Sequence, residues 1–287
     1  MIVRSPTNRQ QPPANWAGNP GALPCVRPTT HPTYSPSEVS VLALPLLALS
    51  LALAPPFPAD TITGADVVRM MHARYAGRWY TTATFTQRTI RPGTPVETWY
   101  EALSLPGGLR IDIAPLADRN VLLFRNDSIY QYVGGELKPG RPFVHPLMLL
   151  GFDVYALPPE RTIAALTALG YDLSKAHAGT WQGRAVWIVG AAAGDSTSSQ
   201  FWIDQERLVF VRSLGPHPRK PGVHTEVQFN KYVRLGQGWI ETEVLQLEGG
   251  AVLLTEEYHD VRAEPVPALD PAIFVAGPYR QPGWVKE

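Results

Sequence analysis

The sequence predicts a mainly β protein with a minority of helix, built as an antiparallel barrel or sandwich, and three observations predict it. Short runs dense in Thr, Val, Ile and aromatic residues recur between positions 79 and 262, each bounded by Gly, Pro or Asn-Asp. Helical spacing is confined to a segment ahead of these runs, at 63–77, and one in their midst, at 158–169. No linker divides 60–280 and no long internal repeat occurs, so a single β domain with a short tail at 281–287 is expected.

Two segments precede that domain. Residues 1–38 are rich in Pro, Asn, Thr and Ser and almost lack an apolar pattern. Such a composition buries too little surface to offset its ordering entropy, so the stretch is read as disordered, or as an extension from a start codon set too early. Residues 39–54, VSVLALPLLALSLALA, are apolar throughout. A length of about 16 residues suits the core of a signal peptide and is short for a membrane span. A signal peptide over 39–59 is expected, cleaved after Ala54 or Ala59, with an N-terminal membrane anchor as the alternative. Cys25 lies ahead of the apolar run, so no lipobox follows it and no lipid anchor is expected. As the single cysteine, it also excludes an internal disulfide and a cysteine-based zinc site.

The domain opens with Thr63-Gly-Ala-Asp66, a capping box with Asp in place of Glu, followed by Val67, Val68, Met71 and Tyr75 on one helical face. Strands are expected at 79–90, 96–105 and 109–113. The last alternates Leu, Arg, Ile, Asp, Ile, which reads as one buried and one wet face. Asn126-Asp127 reads as a hairpin turn between strands 120–124 and 128–133. The run 145–155 is apolar without alternation, and a helix started by Pro and stopped by Gly170 follows at 158–169. Strands resume at Thr180, with Trp181 and Ala185 to Val189 on either side of Gln182-Gly183, a turn or bulge, then come at 200–203, 208–211, 225–235, 239–247 and 251–262.

Charge and motifs exclude several functions. The chain carries 25 basic and 25 acidic side chains, a balance that gives no field to hold nucleic acid. There is no G-x-S-x-G elbow, phosphate loop or dinucleotide glycine fingerprint, and no catalytic residue or cofactor is expected. His217, His224 and Glu226 approach metal-ligand spacing, but Arg219 and Lys220 between them disfavour a cation. Glu241 with Glu243, and Glu256 with Glu257, read as carboxylates on a wet outer face.

The ordered series of short motifs resembles the outer-membrane lipoprotein-sorting proteins of the LolA-like superfamily. Thr84-Phe-Thr-Gln-Arg88 after the first helix is similar to that family's opening strand. Trp181-Gln-Gly-Arg-Ala-Val-Trp-Ile188, then Phe201-Trp-Ile-Asp204 with Leu208-Val-Phe-Val-Arg212, resemble the strands after its helical insertion. Phe229-Asn-Lys-Tyr232, Gly238-Trp239 and Leu269-Asp-Pro-Ala-Ile-Phe274 resemble its closing elements. The resemblance spans about residues 60–280 and implies a strongly curved, open antiparallel β-barrel with an N-terminal helix and a central helical lid. It also implies a monomeric, non-catalytic periplasmic carrier for a lipid or an acylated protein, served by a transport partner in the inner or outer membrane. The alternative is an exported sensor of the same fold that recognises a protein partner. One position departs: the family's Arg before a Pro after the second strand is Leu105 here, so a lid latch of that kind is not implied.

For such a carrier, ligand-facing candidates come from two places. The strands offer Trp79, Phe85, Trp99, Trp187, Phe201 and Phe229. The lid offers Leu147, Met148, Leu149 and Phe152 from the apolar run, and Ile163, Leu166 and Leu169 from the second helix. Buried acyl chains gain about 0.8 kcal/mol per methylene, which is why a dry hollow is needed to carry them through water.

Overall fold

The computed structural model describes residues 62–285. The stretch read as disordered, the signal segment and Cys25 lie outside the described residues. Helix α1 (Gly64–Tyr75) begins as its sequence requires: Thr63 Oγ1 accepts from the Asp66 N–H at 3.2 Å, and Asp66 Oδ2 accepts from the Thr63 N–H at 3.1 Å. Its inner face, Val67, Val68 and Met71, is fully buried.

A meander comes next: β1 (Thr82–Ile90), β2 (Glu97–Ser104), β3 (Gly108–Ile113), β4 (Asn120–Arg125) and β5 (Ser128–Val133), with short β6 (Glu136–Leu137) and β7 (Arg141–Pro142) both on β5. Asn126 and Asp127 sit at φ of 52° and 54°, the left-handed pair that a tight hairpin turn needs. Then come α2 (Pro146–Gly151), a tight helical turn (Asp153–Tyr155) and α3 (Pro159–Ala168). The second set of strands is β8 (Ala176–Trp181), β9 (Arg184–Val189), β10 (Gln200–Asp204), β11 (Phe210–Pro216) and β12 (His224–Asn230), then β13 (Val233–Leu235), β14 (Gly238–Ile240), β15 (Glu243–Glu248) and β16 (Ala251–Ala263).

Fourteen strands form one sheet, in the order β6-β5-β4-β3-β2-β1-β16-β15-β12-β11-β10-β9-β8, with β7 beside β5; β13 and β14 make a separate ribbon. Every pairing is antiparallel, and the return of β16 to β1 joins the two halves. The sheet is open, since its two ends do not pair. It is also strongly curled: Phe124 on β4 and Phe229 on β12, six strands apart in that order, line one cavity. In a flat sheet they would stand about 29 Å apart. The helical insertion carries the chain from one free edge, β7, to the other, β8.

Three sequence expectations are corrected by the fold. Glu256, expected on a wet outer face, lines the inner face of the curl, because β16 presents it beside Leu254 and Tyr258. Arg110 and Asp112 on β3 do not face water; their side chains are 4% and 2% exposed. The C-terminal segment, including a helical turn at Pro271–Phe274, lies over the outer face of β3 and β4. Arg110 binds Asp112 through two N–H donors at 2.7 and 2.8 Å, donates to the Ile273 and Arg280 carbonyls, and stands over the rings of Tyr279 and Trp284. Alternation of apolar and charged residues fits a strand buried on both faces when the charges pair with each other. Glu241 is likewise buried, 1% exposed, with one carboxyl oxygen lacking a partner among the described residues. It falls between β14 and β15, where the extended run breaks, so the alternation that placed it outside does not carry across. Glu243 does pair with the exposed Lys231.

The runs 225–235 and 239–247 are each split in two. Lys231 turns the chain at φ 54°, and β13 and β14 pair with each other outside the main sheet.

Candidate functional site

Side chains on one face of a strand are two residues apart, and register then assembles the inner face of the curl. Trp99, Glu101 and Leu103 share that face of β2. Glu101 stands opposite Phe85 on β1 and Ile111 on β3, while Trp99 stands opposite Gln87. On β16, Leu254, Glu256 and Tyr258 continue it, with Tyr258 opposite Gln87. Leu109 of β3, Leu122 and Phe124 of β4 and Gln246 of β15 complete the wall. These residues line a cavity of about 190 Å³ that is partly open to solvent.

Helix α2 is the cover. His145 caps it, its Nδ1 accepting from the Met148 N–H at 3.3 Å, and Pro146 occupies the first turn, where no donor is needed. Leu147, Met148 and Phe152 then face the cavity from above. Gly151 lets the end of the helix lie on Phe229, since a Cβ there would stand 2.8 Å from the Phe229 ring. His145 is wedged edge-on against Phe124, ring centres 4.9 Å apart. Burial holds its pKa down to about 4, so it is neutral at pH 7. Just past the helix, Asp153 Oδ1 accepts the Gly107 N–H at 2.8 Å, tying the cover to the β2–β3 turn; burial raises its pKa to about 6.

The cavity is mostly apolar with an acidic, acceptor-rich floor. Glu256 accepts from Tyr258 Oη at 2.8 Å and Gln246 Nε2 at 3.1 Å, and Gln87 Nε2 donates to Thr89 Oγ1 at 2.7 Å. Glu101 is 4% exposed and forms no hydrogen bond or ion pair among the described residues. Burial raises its pKa well above the carboxylate range, and the neighbouring Glu256 and Glu241 push it further. Among the described residues no Lys or Arg lines the space. Among the described residues no cluster of three or more His, Cys, Asp or Glu is placed to hold a metal; His217 faces Glu248 at 3.3 Å and Glu226 pairs with Arg212.

Of the side chains that the sequence singles out, Phe85, Trp99, Leu147, Met148, Phe152 and Phe229 line the cavity. Leu149 faces a second, smaller hollow behind α2. Trp79 is stacked on Tyr155, ring centres 3.8 Å apart, and Phe201 packs edge-on against Tyr171; both are core. Trp187 and Ile163 are half-buried against the core, Leu166 is fully buried, and Leu169 is at the surface. Helix α3 packs on α1 and does not line the cavity. Sequence reasoning misses the polar members, Gln87, Glu101, Gln246, Glu256 and Tyr258. Their signal is phase: Glu101 falls midway between Trp99 and Leu103, an acid on an apolar face.

Fold and site together define an open, curled antiparallel barrel lining a mainly apolar, partly open cavity beneath a helical cover. No protein-family model and no curated protein matches the chain. Solved structures similar to it include a DUF1329 family protein from Desulfovibrio piger, at 14% identity and TM-score 0.49, covering 76% of this chain and 98% of that one. A putative outer membrane lipoprotein-sorting protein domain from Vibrio parahaemolyticus is similar at 12% identity and TM-score 0.49, covering 74% and 95%. A LolA superfamily protein from Nitrosomonas europaea is similar at 10% identity and TM-score 0.44, covering 75% and 98%. The site is therefore read from this chain's own geometry.

Proposed function

We propose that this protein is a non-catalytic carrier that shelters an apolar chain, from a lipid or an acylated protein, in the cavity beneath α2. The observation that carries the reading is the cavity itself, about 190 Å³ of space walled by Phe85, Leu103, Leu109, Phe124, Met148 and Phe152. The hollow is partly open to solvent, so its apolar walls are surface that an apolar ligand removes from water on binding. About eight buried methylenes gain roughly 6 kcal/mol, which corresponds to binding in the tens of micromolar. A longer chain requires α2 to move outward. That helix has six residues and stands in sequence between the edge strands β7 and β8, outside the hydrogen-bonded sheet, so it is the element suited to do so.

The apolar run at 39–54 supports export and delivery in the periplasm, with a membrane transport partner at one or both ends of the route. Among the described residues, no helix is long and apolar enough to cross a membrane. The cavity's modest size favours a second reading, an exported module of the same fold that recognises a protein partner and holds little lipid. Native mass spectrometry of the full chain expressed with export, followed by denaturation, separates the two. Release of a lipid or an acylated peptide is the expected result. A mass without adduct that persists through incubation with lipids overturns the carrier reading and leaves the partner-binding one.

A further inference from the structure

Building on the carrier reading, we propose that the cavity selects an amphipathic ligand with a cationic amine at one end, seated against the Glu101 carboxyl. Among the described residues the floor carries acceptors and no fixed positive charge: the carboxyls of Glu101 and Glu256, the side-chain amide oxygens of Gln87 and Gln246, and the Tyr258 phenol. Glu256 is already engaged by Gln246 and Tyr258. Glu101 is not engaged, although it is 4% exposed and lines the space. Its carboxyl meets the cavity space and makes no hydrogen bond among the described residues, so a donor can reach it only from within that space. An ammonium group has three donors and a charge, which is what this floor lacks. The groups around Glu101 agree in sign: Glu256 and Tyr258 on β16 and the buried Glu241 supply no cation, and His145 on the cover is neutral. Arg91, which also acts on Glu256, is paired with Glu97 and lies over the Trp99 ring outside the cavity. A carboxylate head would bring another acid among the carboxyls of Glu101 and Glu256, with no cation on the lining to offset the burial of its charge. An alcohol would gain one ordinary hydrogen bond.

Titration calorimetry with octylamine, octanol and octanoate tests this, because the three share a chain and differ in the head. Octylamine is expected to bind the full chain about tenfold or more tighter than octanol, the usual difference for a hydrogen bond to a charged group, and octanoate weakest. Burial pushes the Glu101 pKa up and a bound ammonium pushes it back down, so amine binding is expected to release protons, read by repeating the titration in buffers of different ionisation enthalpy. In Glu101→Gln, which is isosteric and removes a buried acid, the amine-to-alcohol ratio is expected to fall toward one; the same measurement on Glu256→Gln guards against a single misfolded variant. Amine and alcohol binding equally, or octanoate binding tightest, overturns the proposal while the carrier reading stands. No binding by any of the three removes the carrier reading itself.

Discussion

The two faces of strands β2 to β4 obey the same alternation and end in opposite states. On the outer face, Ala102, Val121 and Leu123 are sealed by the chain's own C-terminal segment through Ile273 and Phe274, and the one charge pair there, Arg110 with Asp112, has its hydrogen bonds supplied from within the chain. On the inner face, six residues of α2 close the space incompletely, leaving about 190 Å³ and an unpartnered Glu101. A buried polar group that is satisfied reads as architecture. One left over beside a hollow points to a group that is meant to arrive there.

The largest effect is expected on the sealed face. Arg110→Ala strands Asp112 in an apolar site and should cost about 3–5 kcal/mol in denaturant unfolding. A cost below about 1 kcal/mol would mean that the outer face is wetter than its packing. On the inner side, Asp153 ties the cover to Gly107, and its pKa is raised to about 6. A carboxyl whose folded value lies above its unfolded one binds its proton more tightly in the fold. Its contribution is therefore full below pH 3.8, the ordinary value, and lost as pH rises through about 6. Asp153→Asn should flatten that part of the pH–stability curve, by at most about 3 kcal/mol. If the curves of the two proteins run parallel from pH 4 to 7, Asp153 is not strained by its burial.

Glu101→Gln should raise stability at pH 8 by about 1–3 kcal/mol, since it removes a carboxyl that the fold prefers protonated. The gain should shrink as pH falls toward the ordinary carboxylate range. The opposite slope would mean that Glu101 has a cationic partner. The smallest effect is at the frame: Thr63→Ala removes one oxygen of the α1 capping box and should cost about 1 kcal/mol in a thermal melt, on either side of the Glu101 change.

Much of the frame is legible in the sequence because its signals are local. The Thr63–Asp66 box, the Asn126-Asp127 turn, the stop at Gly170 and the period-two strands each depend on residues a few positions apart. The helix cap at His145 and the role of α2 as cover are half legible: an apolar run without alternation announces a change of element, and the side chains at 147, 148 and 152 stand out in it. What the sequence hides depends on distant segments. Nothing near Arg110 says that residues 273–284 will cover it, and nothing near Glu241 says that the strand breaks there. Glu101 is visible only as an acid in an apolar phase, and its neighbours Glu256 and Gln246 come from strands more than a hundred residues away. The aromatics at 79 and 201 stand out for the right reason, bulk on strands, yet which aromatics pack and which line a hollow depends on the curl of the sheet.

The most direct measurement is the methyl spectrum of the four methionines, labelled with carbon-13, during titration with a short alkyl chain. Met148 faces the cavity, whereas Met71 is buried on the inner face of α1 and Met70, next to it on the same helix, is half-buried. A saturable shift of the Met148 methyl, with Met70 and Met71 unmoved, is the expected result. A Met148 signal that stays fixed while the chain binds elsewhere, or that shifts only together with all the others, would contradict a ligand site beneath α2.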